Sequence, residues 1–173
     1  MRVRACDPGV ERWGVAVVER NPPAGGKDEE LLRPAWIRTQ ASLPFAQRLG
    51  ELGVAVEALI EVWHPSCVAI ENVFFENNAK TAMDVAAVRG MLLYIAARSG
   101  LPAHEYTPLQ VKVAITGYGK SDKAAIAAMV PRLVRIPDKK RLDDEMDAIA
   151  VGLTCLASIQ LSTHTALGSC KEL

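Results

Sequence analysis

The sequence predicts a single α/β domain in which a mixed five-stranded sheet carries helices on both faces. The chain has 173 residues, which is enough for one substantial core, and half of these residues are apolar. Strand and helix patterns follow in the order βββαβαβααα, and this order is typical of a mixed sheet covered by helices. We expect residues 1–160 to form the domain and residues 161–173 to form a flexible C-terminal tail.

Five segments have the character of strands. Residues 1–7 and 13–19 are separated by Asp7-Pro8-Gly9, which predicts a hairpin because proline fixes φ and glycine permits positive φ. A polar segment rich in glycine and proline follows, with a third strand near residues 31–39. The apolar run 67–70 predicts a buried fourth strand that ends at Glu71, and residues 103–106 predict a short fifth one.

Five helices are predicted between and after these strands. The first begins near Ser42 and carries apolar residues every three or four positions up to Trp63. The second, over residues 79–99, is apolar on more than one face, so that one face can cover the sheet while another meets a partner; the alternative is a helix buried on all sides. The other three cover residues 107–116 with Thr107 as cap, 121–130 with Ser121 as cap, and 143–159.

Four carboxylates lie where predicted apolar elements end or begin. Asp7 and Glu71 end strands, and Asp144 and Asp147 open the last helix three residues apart, so both point to one side of it. Taken singly, these residues also suit a turn, an exposed strand end and a helix N-terminus. Carboxylates rarely enter an interior unless they are paired or bind a cation. Together they therefore indicate a site for hard divalent ions, Mg²⁺ or Mn²⁺.

The formal net charge of zero hides an uneven distribution of charge. Residues 1–97 carry 10 basic and 12 acidic side chains, and residues 98–141 carry 9 basic and 3 acidic ones. Residues 142–147 then carry four acids and no base. A basic stretch beside an acidic cluster suits a polyanion held close to bound metal; the alternative is a solvated helical surface.

Candidate contacts to nucleic acid lie in two further segments. Phe74-Phe75 follows Glu71 in a polar segment, and two adjacent phenylalanines cannot both face one core from a loop. One of them can stack on bases, or one can anchor the loop while the other packs on the sheet. Lysines beside a glycine-rich bend suit phosphate contacts, although such lysines are often only solvated; here they are Lys112, Lys120 and Lys123, around Gly117-Tyr118-Gly119.

Other kinds of site lack their sequence patterns. The four cysteines show no C-x-x-C spacing, and three lie in apolar runs, which predicts reduced, buried thiols and a cytoplasmic protein. The three histidines have no metal-ligand spacing, so a zinc site is not expected. No segment is apolar for long enough to predict a membrane span, and no secretory leader is expected before the first strand. Phosphate-binding glycine loops and serine-nucleophile motifs are absent as well.

Several segments also occur in the order typical of one family. They are Asp7-Pro8-Gly9; Ala69-Ile70-Glu71 with Val73-Phe74; Asn78 with Thr81-Ala82 and Arg89-Gly90; His104 to Pro108 with Val111-Lys112; Thr116-Gly117 with Gly119 and Lys123; and Asp144 with Asp147-Ala148. Together they resemble the RuvC family of bacterial Holliday-junction resolvases over residues 1 to about 158. Departures from the family pattern are Arg4-Ala5-Cys6 before Asp7, the additional acids Asp143 and Glu145, and Pro131 within a helix.

The resemblance implies a ribonuclease H-like fold, a homodimer, and paired nicks in four-way DNA junctions that leave 5′-phosphate and 3′-hydroxyl ends. It implies roles in DNA recombination and repair beside the branch-migration proteins RuvA and RuvB. Two Mg²⁺ or Mn²⁺ ions would be held by Asp7, Glu71, Asp144 and Asp147, with Lys112 and Lys123 as catalytic lysines and Phe74 stacking on bases. Further candidate DNA contacts are Phe75, Asn78, Arg89 and Lys120.

Two rival functions belong to other classes. A ribonuclease H-like nuclease acting on RNA or RNA–DNA hybrid would carry the same carboxylates, and only the resemblance argues against it. A non-catalytic junction-binding module would keep the lysines and Phe74 but lose carboxylates, and all four are present. An actin-like kinase also begins with a strand, an aspartate and a glycine turn, but it needs two lobes and a much longer chain.

Overall fold

A computed structural model describes residues 1–7, 12–20, 29–72, 79–136 and 143–168. Within these ranges it leaves out the side chains of residues 12, 33–36, 79–81, 143–144 and 160–168. Throughout the described ranges, none of the helices is both long and apolar enough to cross a membrane.

The sheet is mixed, as the sequence predicts, and has the strand order β5-β4-β1-β2-β3-β6. Strands β1, β2 and β3 form an antiparallel meander, whereas β4 runs parallel to β1 and β5 runs parallel to β4. The prediction of five strands was wrong by one, because a sixth strand of two residues pairs in parallel with β3. The strands are β1 (Arg2–Asp7), β2 (Arg12–Arg20), β3 (Glu29–Arg38), β4 (Cys67–Glu71), β5 (Ala103–Tyr106) and β6 (Val134–Arg135).

Five helices were predicted and five are present in the described ranges: α1 (Phe45–Trp63), α2 (Ala79–Arg98), α3 (Pro108–Thr116), α4 (Lys123–Leu133) and α5 (Asp143–Gly168). Thr107 caps α3 as predicted, through a reciprocal capping box with Gln110. Helix α1 begins at Phe45 and not near Ser42, because Pro44 has extended backbone angles and forms the N-cap.

The boundaries of α4 and α5 differ from the prediction. Asp122, not Ser121, caps α4, and its carboxylate accepts a hydrogen bond from the Ala125 amide. The Ser121 hydroxyl instead donates to the carbonyl of Tyr118. Pro131 lies inside α4 without ending it. Helix α5 continues past the predicted end at Ile159 to Gly168.

The helices cover the sheet in two layers, each with its own core. Helices α1 and α2 pack on one face through residues such as Val56 and Leu92. Helices α3, α4 and α5 pack on the other face, where α5 lies directly on β1 and β2. Both faces of the central strands are therefore buried.

Helix α2 is not buried on all sides. Val88, Leu92 and Ile95 face the core, whereas Met83 is 76% exposed and Tyr94 is 62% exposed. One face of α2 therefore covers the sheet and another is exposed, so the alternative of a fully buried helix was wrong; the contact of the exposed face with a partner stays a prediction.

Candidate active site

Asp7 and Glu71 lie side by side because their strands are parallel neighbours. The register pairs Ala5 with Ala69 and Cys6 with Ile70, so the next residue on each strand is one of the two acids. Side chains alternate along a strand, and Ala5 and Ala69 belong to the core beneath α5. Both acids therefore face α5, and a hydrogen bond joins their carboxyl groups.

Asp147 reaches the same place from the N-terminal part of α5. Its side chain is 21% exposed, and its Oδ2 atom accepts a hydrogen bond of 3.0 Å from the Lys123 ammonium. Lys123 is the first residue of α4, and its own side chain is 75% exposed. Asp147, Lys123 and Lys112 all act electrostatically on Glu71, so the five predicted groups form one cluster.

The electrostatics of this cluster suit a divalent cation. Burial raises the pKa of the Glu71 carboxyl above its ordinary value, and the charge of Asp147 raises it further. The hydrogen bond from Asp7 and the positive charges of Lys123 and Lys112 oppose this rise in pKa. Ionised carboxylates that lie this close together repel each other. A cation bound by their oxygen atoms would offset that repulsion, so the donor set fits Mg²⁺ or Mn²⁺.

Several predicted residues cannot be placed beside this cluster. Phe74, Phe75 and Asn78 lie outside the described residues, and Asp144 lies within α5 but its side chain is outside the described part. Their roles stay predictions.

The structure also describes two other predicted DNA contacts, Lys120 and Arg89. Lys120 is exposed in the turn between α3 and α4. Arg89 lies on α2, and its guanidinium makes a two-pronged ion pair with Glu105 of β5, with Nη2 2.9 Å from Oε1. Glu105 pairs with Ile70, whose side chain faces the α1–α2 core, so Arg89 lies on the opposite face of the sheet from the acids.

Comparison with known sequences decides the family. The sequence model of the family described as Crossover junction endodeoxyribonuclease RuvC matches residues 3–155. The chain belongs to the RuvC family. A RuvC of that name from Leifsonia xyli subsp. xyli is 40% identical over 173 residues, which cover 98% of this chain and 81% of the relative. Another protein of the same name, from Desulforamulus reducens, is 39% identical, and the match covers 88% of this chain and 91% of that relative.

Solved structures agree with this assignment. The RuvC structure of Thermus thermophilus matches with a TM-score of 0.85 at 29% identity, over 94% of this chain and 98% of that one. The same TM-score and identity hold for T. thermophilus RuvC in complex with a Holliday junction substrate, with 97% of that chain covered. The yeast mitochondrial Holliday junction resolvase Ydc2 shares the fold, with a TM-score of 0.65 at 14% identity over 88% of this chain and 76% of that one. The predicted ribonuclease H-like fold is thereby confirmed.

A second cluster of metal-ligating groups was not predicted from the sequence of this RuvC-family chain. Cys67, His104 and Cys155 present ligand atoms that all lie within 4.8 Å of one another. They come from β4, β5 and α5, so no local spacing could reveal them. The expectation of buried free thiols is confirmed for the three described cysteines.

Proposed function

We propose that this protein is an endonuclease that resolves four-way (Holliday) DNA junctions by paired hydrolytic cuts, in DNA recombination and repair. The proposal is carried by one observation: Asp7, Glu71 and Asp147 converge with two lysines on one face of the sheet in a RuvC-family chain. The names of the sequence relatives and the junction complex of the Thermus protein support the same activity.

Two Mg²⁺ or Mn²⁺ ions would be held by Asp7, Glu71, Asp144 and Asp147. Bound ions of this kind supply an activated water and neutralise charge on the scissile phosphate and the departing oxygen. Asp7 comes from an inner strand and would contact both ions, Glu71 would hold one, and the two α5 aspartates would hold the other. The proximity of the three described acids, each of which acts electrostatically within this cluster, supports this arrangement.

The lysines would hold the scissile strand. Lys123 makes its ion pair with Asp147 from a largely exposed position, and exposed pairs contribute only about 0.2–1 kcal/mol. A phosphate can therefore replace Asp147 as its partner at small cost, which would free the carboxylate for a cation. Lys112 is half-buried and close enough to act on Glu71, so it can stabilise negative charge at the same point. Hydrolysis would leave 5′-phosphate and 3′-hydroxyl ends.

Other side chains would bind the junction away from the cut. Phe74 would stack on bases at the crossover, with Phe75 and Asn78 beside it, and Lys120 would contact phosphate from its exposed turn. Arg89 would have to leave its pair with Glu105 in order to reach DNA. It is therefore the weakest of the proposed contacts.

A homodimer would present two sites to a substrate with near two-fold symmetry. Met83, Gly90 and Tyr94 are spaced by seven and four residues along α2, which places them on one side of the helix, and all three are exposed. This stripe is our proposed dimer contact. Cooperation with RuvA and RuvB and a cytoplasmic location, which suits the free buried thiols, belong to the same proposal.

The decisive experiment incubates the protein and Mg²⁺ with a synthetic four-way junction, with a duplex and an RNA–DNA hybrid of matched sequence as controls. We expect symmetric nicks in the junction alone. Asp147→Asn should abolish cleavage while junction binding persists, because this carboxylate serves the chemistry. Asp122→Asn is the matched control: it removes one negative charge beside Lys123, and asparagine caps a helix as well as aspartate does.

The rivals predict different results. Preferential cutting of the hybrid would identify a ribonuclease and overturn the proposal. Tight junction binding without any cutting, unchanged by Asp147→Asn, would identify a binding module. Equal loss of cleavage in Asp122→Asn and Asp147→Asn would show that Asp147 has no specific role in the chemistry of cleavage.

A further inference from the structure

Three soft metal ligands meet on the face of the sheet that α5 covers. Cys67 is the first residue of β4, and His104 lies on the neighbouring edge strand β5. The register pairs His104 with Ala69, so Cys67 and His104 are diagonal neighbours on one face. Cys155 meets them from α5, and both cysteines are buried whereas His104 is half-buried.

The distances match a tetrahedral zinc centre. The two sulfur atoms are 3.8 Å apart. Two zinc–sulfur bonds of about 2.3 Å at a tetrahedral angle place the sulfurs about 3.8 Å apart, and a zinc–nitrogen bond of about 2.0–2.1 Å places the histidine nitrogen about 3.6 Å from each. The three ligand atoms lie within 4.8 Å of one another, so the histidine nitrogen needs to approach the sulfur atoms by no more than about 1.2 Å to reach that geometry.

The surroundings also favour a bound cation. Two thiolates and one Zn²⁺ are neutral together, so the buried complex avoids the large cost of an isolated charge in an apolar interior. The Tyr106 hydroxyl shares a hydrogen bond with the Ser158 hydroxyl, with 2.6 Å between the two oxygens, and it lies close enough to act on the Cys155 thiol, to which it could donate. Hydrogen bonds of this kind orient metal ligands and are a regular part of zinc sites.

We propose that Cys67, His104 and Cys155 bind one Zn²⁺ ion, with water in the fourth position, and that this ion joins edge strand β5 to helix α5. Binding displaces the thiol protons to solvent, which gives two thiolates on one metal. The site is distinct from the acidic one: Cys155 lies eight residues beyond Asp147, about 12 Å at 1.5 Å per helical residue. Sulfur and nitrogen ligands select zinc, whereas the carboxylates select Mg²⁺ or Mn²⁺.

The test uses the full chain, reduced and stripped of metal, with Co²⁺ and Zn²⁺ alone as probes. Cobalt at this site should give intense tetrahedral visible bands and a thiolate-to-cobalt charge-transfer band, with one ion per chain, and Zn²⁺ should displace it. Because carboxylates give no such band, the readout is independent of the acidic site and of any nuclease activity. A saturating excess of Zn²⁺ should raise Tm by about 5–15 °C.

Variants assign the ligands. Cys67→Ser, Cys155→Ser and His104→Gln should each remove the charge-transfer band or shift it and weaken zinc binding at least about 10-fold. The matched controls are Cys6→Ala, on the opposite face of the sheet, and the exposed His64→Gln, which should bind as the parent does. His104 is half-exposed on an edge strand, so His104→Gln should fold. This variant keeps the test valid if the buried cysteine variants fail to fold.

The proposal fails if the parent chain shows only weak octahedral cobalt bands, because the thiols would then be a simple hydrogen-bonded pair. It also fails if mild oxidation joins Cys67 to Cys155 in a disulfide while the reduced protein binds no cobalt, because that result would identify a redox pair.

Discussion

Gly152 allows α5 to approach the sheet closely, and filling that position should move the helix. A Cβ atom at Gly152 would lie 2.9 Å from Cγ2 of Val18 and 3.2 Å from Cβ of Ala5. Ordinary contacts begin at 3.4 Å, so Gly152→Ala requires helix and sheet to separate by about 0.5 Å at this point. Both neighbours are short side chains fixed to central strands and cannot swing away.

The expected loss of stability follows from two opposing effects. Overpacking of a core costs about 1–3 kcal/mol, whereas alanine is favoured over glycine within a helix by about 0.5–1 kcal/mol. The net change is a destabilisation of roughly 1–2 kcal/mol. For a domain of this size, that change lowers Tm by about 2–8 °C.

The same displacement should reach the acidic cluster. Asp7 is two residues beyond Ala5 on β1, and Asp147 is five residues before Gly152 on α5. Because a misplacement of about 1 Å can cost about 100-fold in rate, a shift of half that size should slow cleavage on the order of 10-fold. Single-turnover cleavage of a four-way junction, measured well below both melting temperatures, reports this directly.

Gly50→Ala is the matched control, because nothing lies within 4 Å of a Cβ at that position on α1. It should raise stability by about 0.5–1 kcal/mol and leave the cleavage rate unchanged. If Gly152→Ala instead has a higher Tm than the parent protein and cleaves at the parental rate, α5 does not pack against β1 and β2 this closely.

Four further predictions concern the acids, the metal, the stacking residue and the dimer. Burial raises the pKa of Glu71, so ionisation of this carboxyl destabilises the fold as the pH rises through that pKa. The metal-free variant Glu71→Gln should therefore have a higher Tm than the parent protein at pH 8, and the difference in Tm should be smaller near pH 4.5. The same variant should be inactive in cleavage. Cleavage should stop in EDTA, return with Mg²⁺ or Mn²⁺ and not with Ca²⁺, and undiminished nicking in EDTA would exclude the two-metal proposal. Phe74→Ala should reduce 2-aminopurine unstacking at the crossover and lose about 1–3 kcal/mol of binding with little change in Tm, whereas a core role would lower stability by roughly 3–5 kcal/mol. Tyr94→Arg should give monomers by light scattering and uncoordinated nicks, and a persistent dimer would place the interface elsewhere.

The sequence predicted most elements because their signals are local. Apolar periodicity defined α1 and α2, the apolar run before Glu71 defined β4, and a capping box fixed the start of α3. Strand β6 was missed because two residues carry no periodicity; it exists only through its pairing with β3. The end of α5 was misplaced because polar residues after Ile159 do not by themselves stop a helix.

Contacts between distant segments were predicted only where chemistry singled out the residues. Acids at the ends of apolar strands are unusual, and this property alone linked Asp7 with Glu71 across more than sixty residues of sequence. Arg4 gave no such signal: it is fully buried in β1, and Nη1 hydrogen-bonds to the Val56 carbonyl whereas Nε and Nη2 have no partner among the described residues. Burial lowers the pKa of this guanidinium, a cost that no sequence pattern indicates.

Helix α5 connects the two candidate metal sites and explains why they can differ in chemistry. Its N-terminal part carries Asp147, its middle carries Gly152 against the sheet, and Cys155 follows less than one turn later. The face of β4 beneath it is arranged in the same way, with Glu71 at one end and Cys67 at the other. A separation of about 12 Å exceeds the screening length of about 8 Å in physiological salt, so solvent-exposed parts of the two sites influence each other weakly. Loss of zinc should therefore act on cleavage through the position of α5 and not through charge. We expect His104→Gln to lower Tm in the presence of Zn²⁺ and to leave the metal dependence of cleavage nearly unchanged.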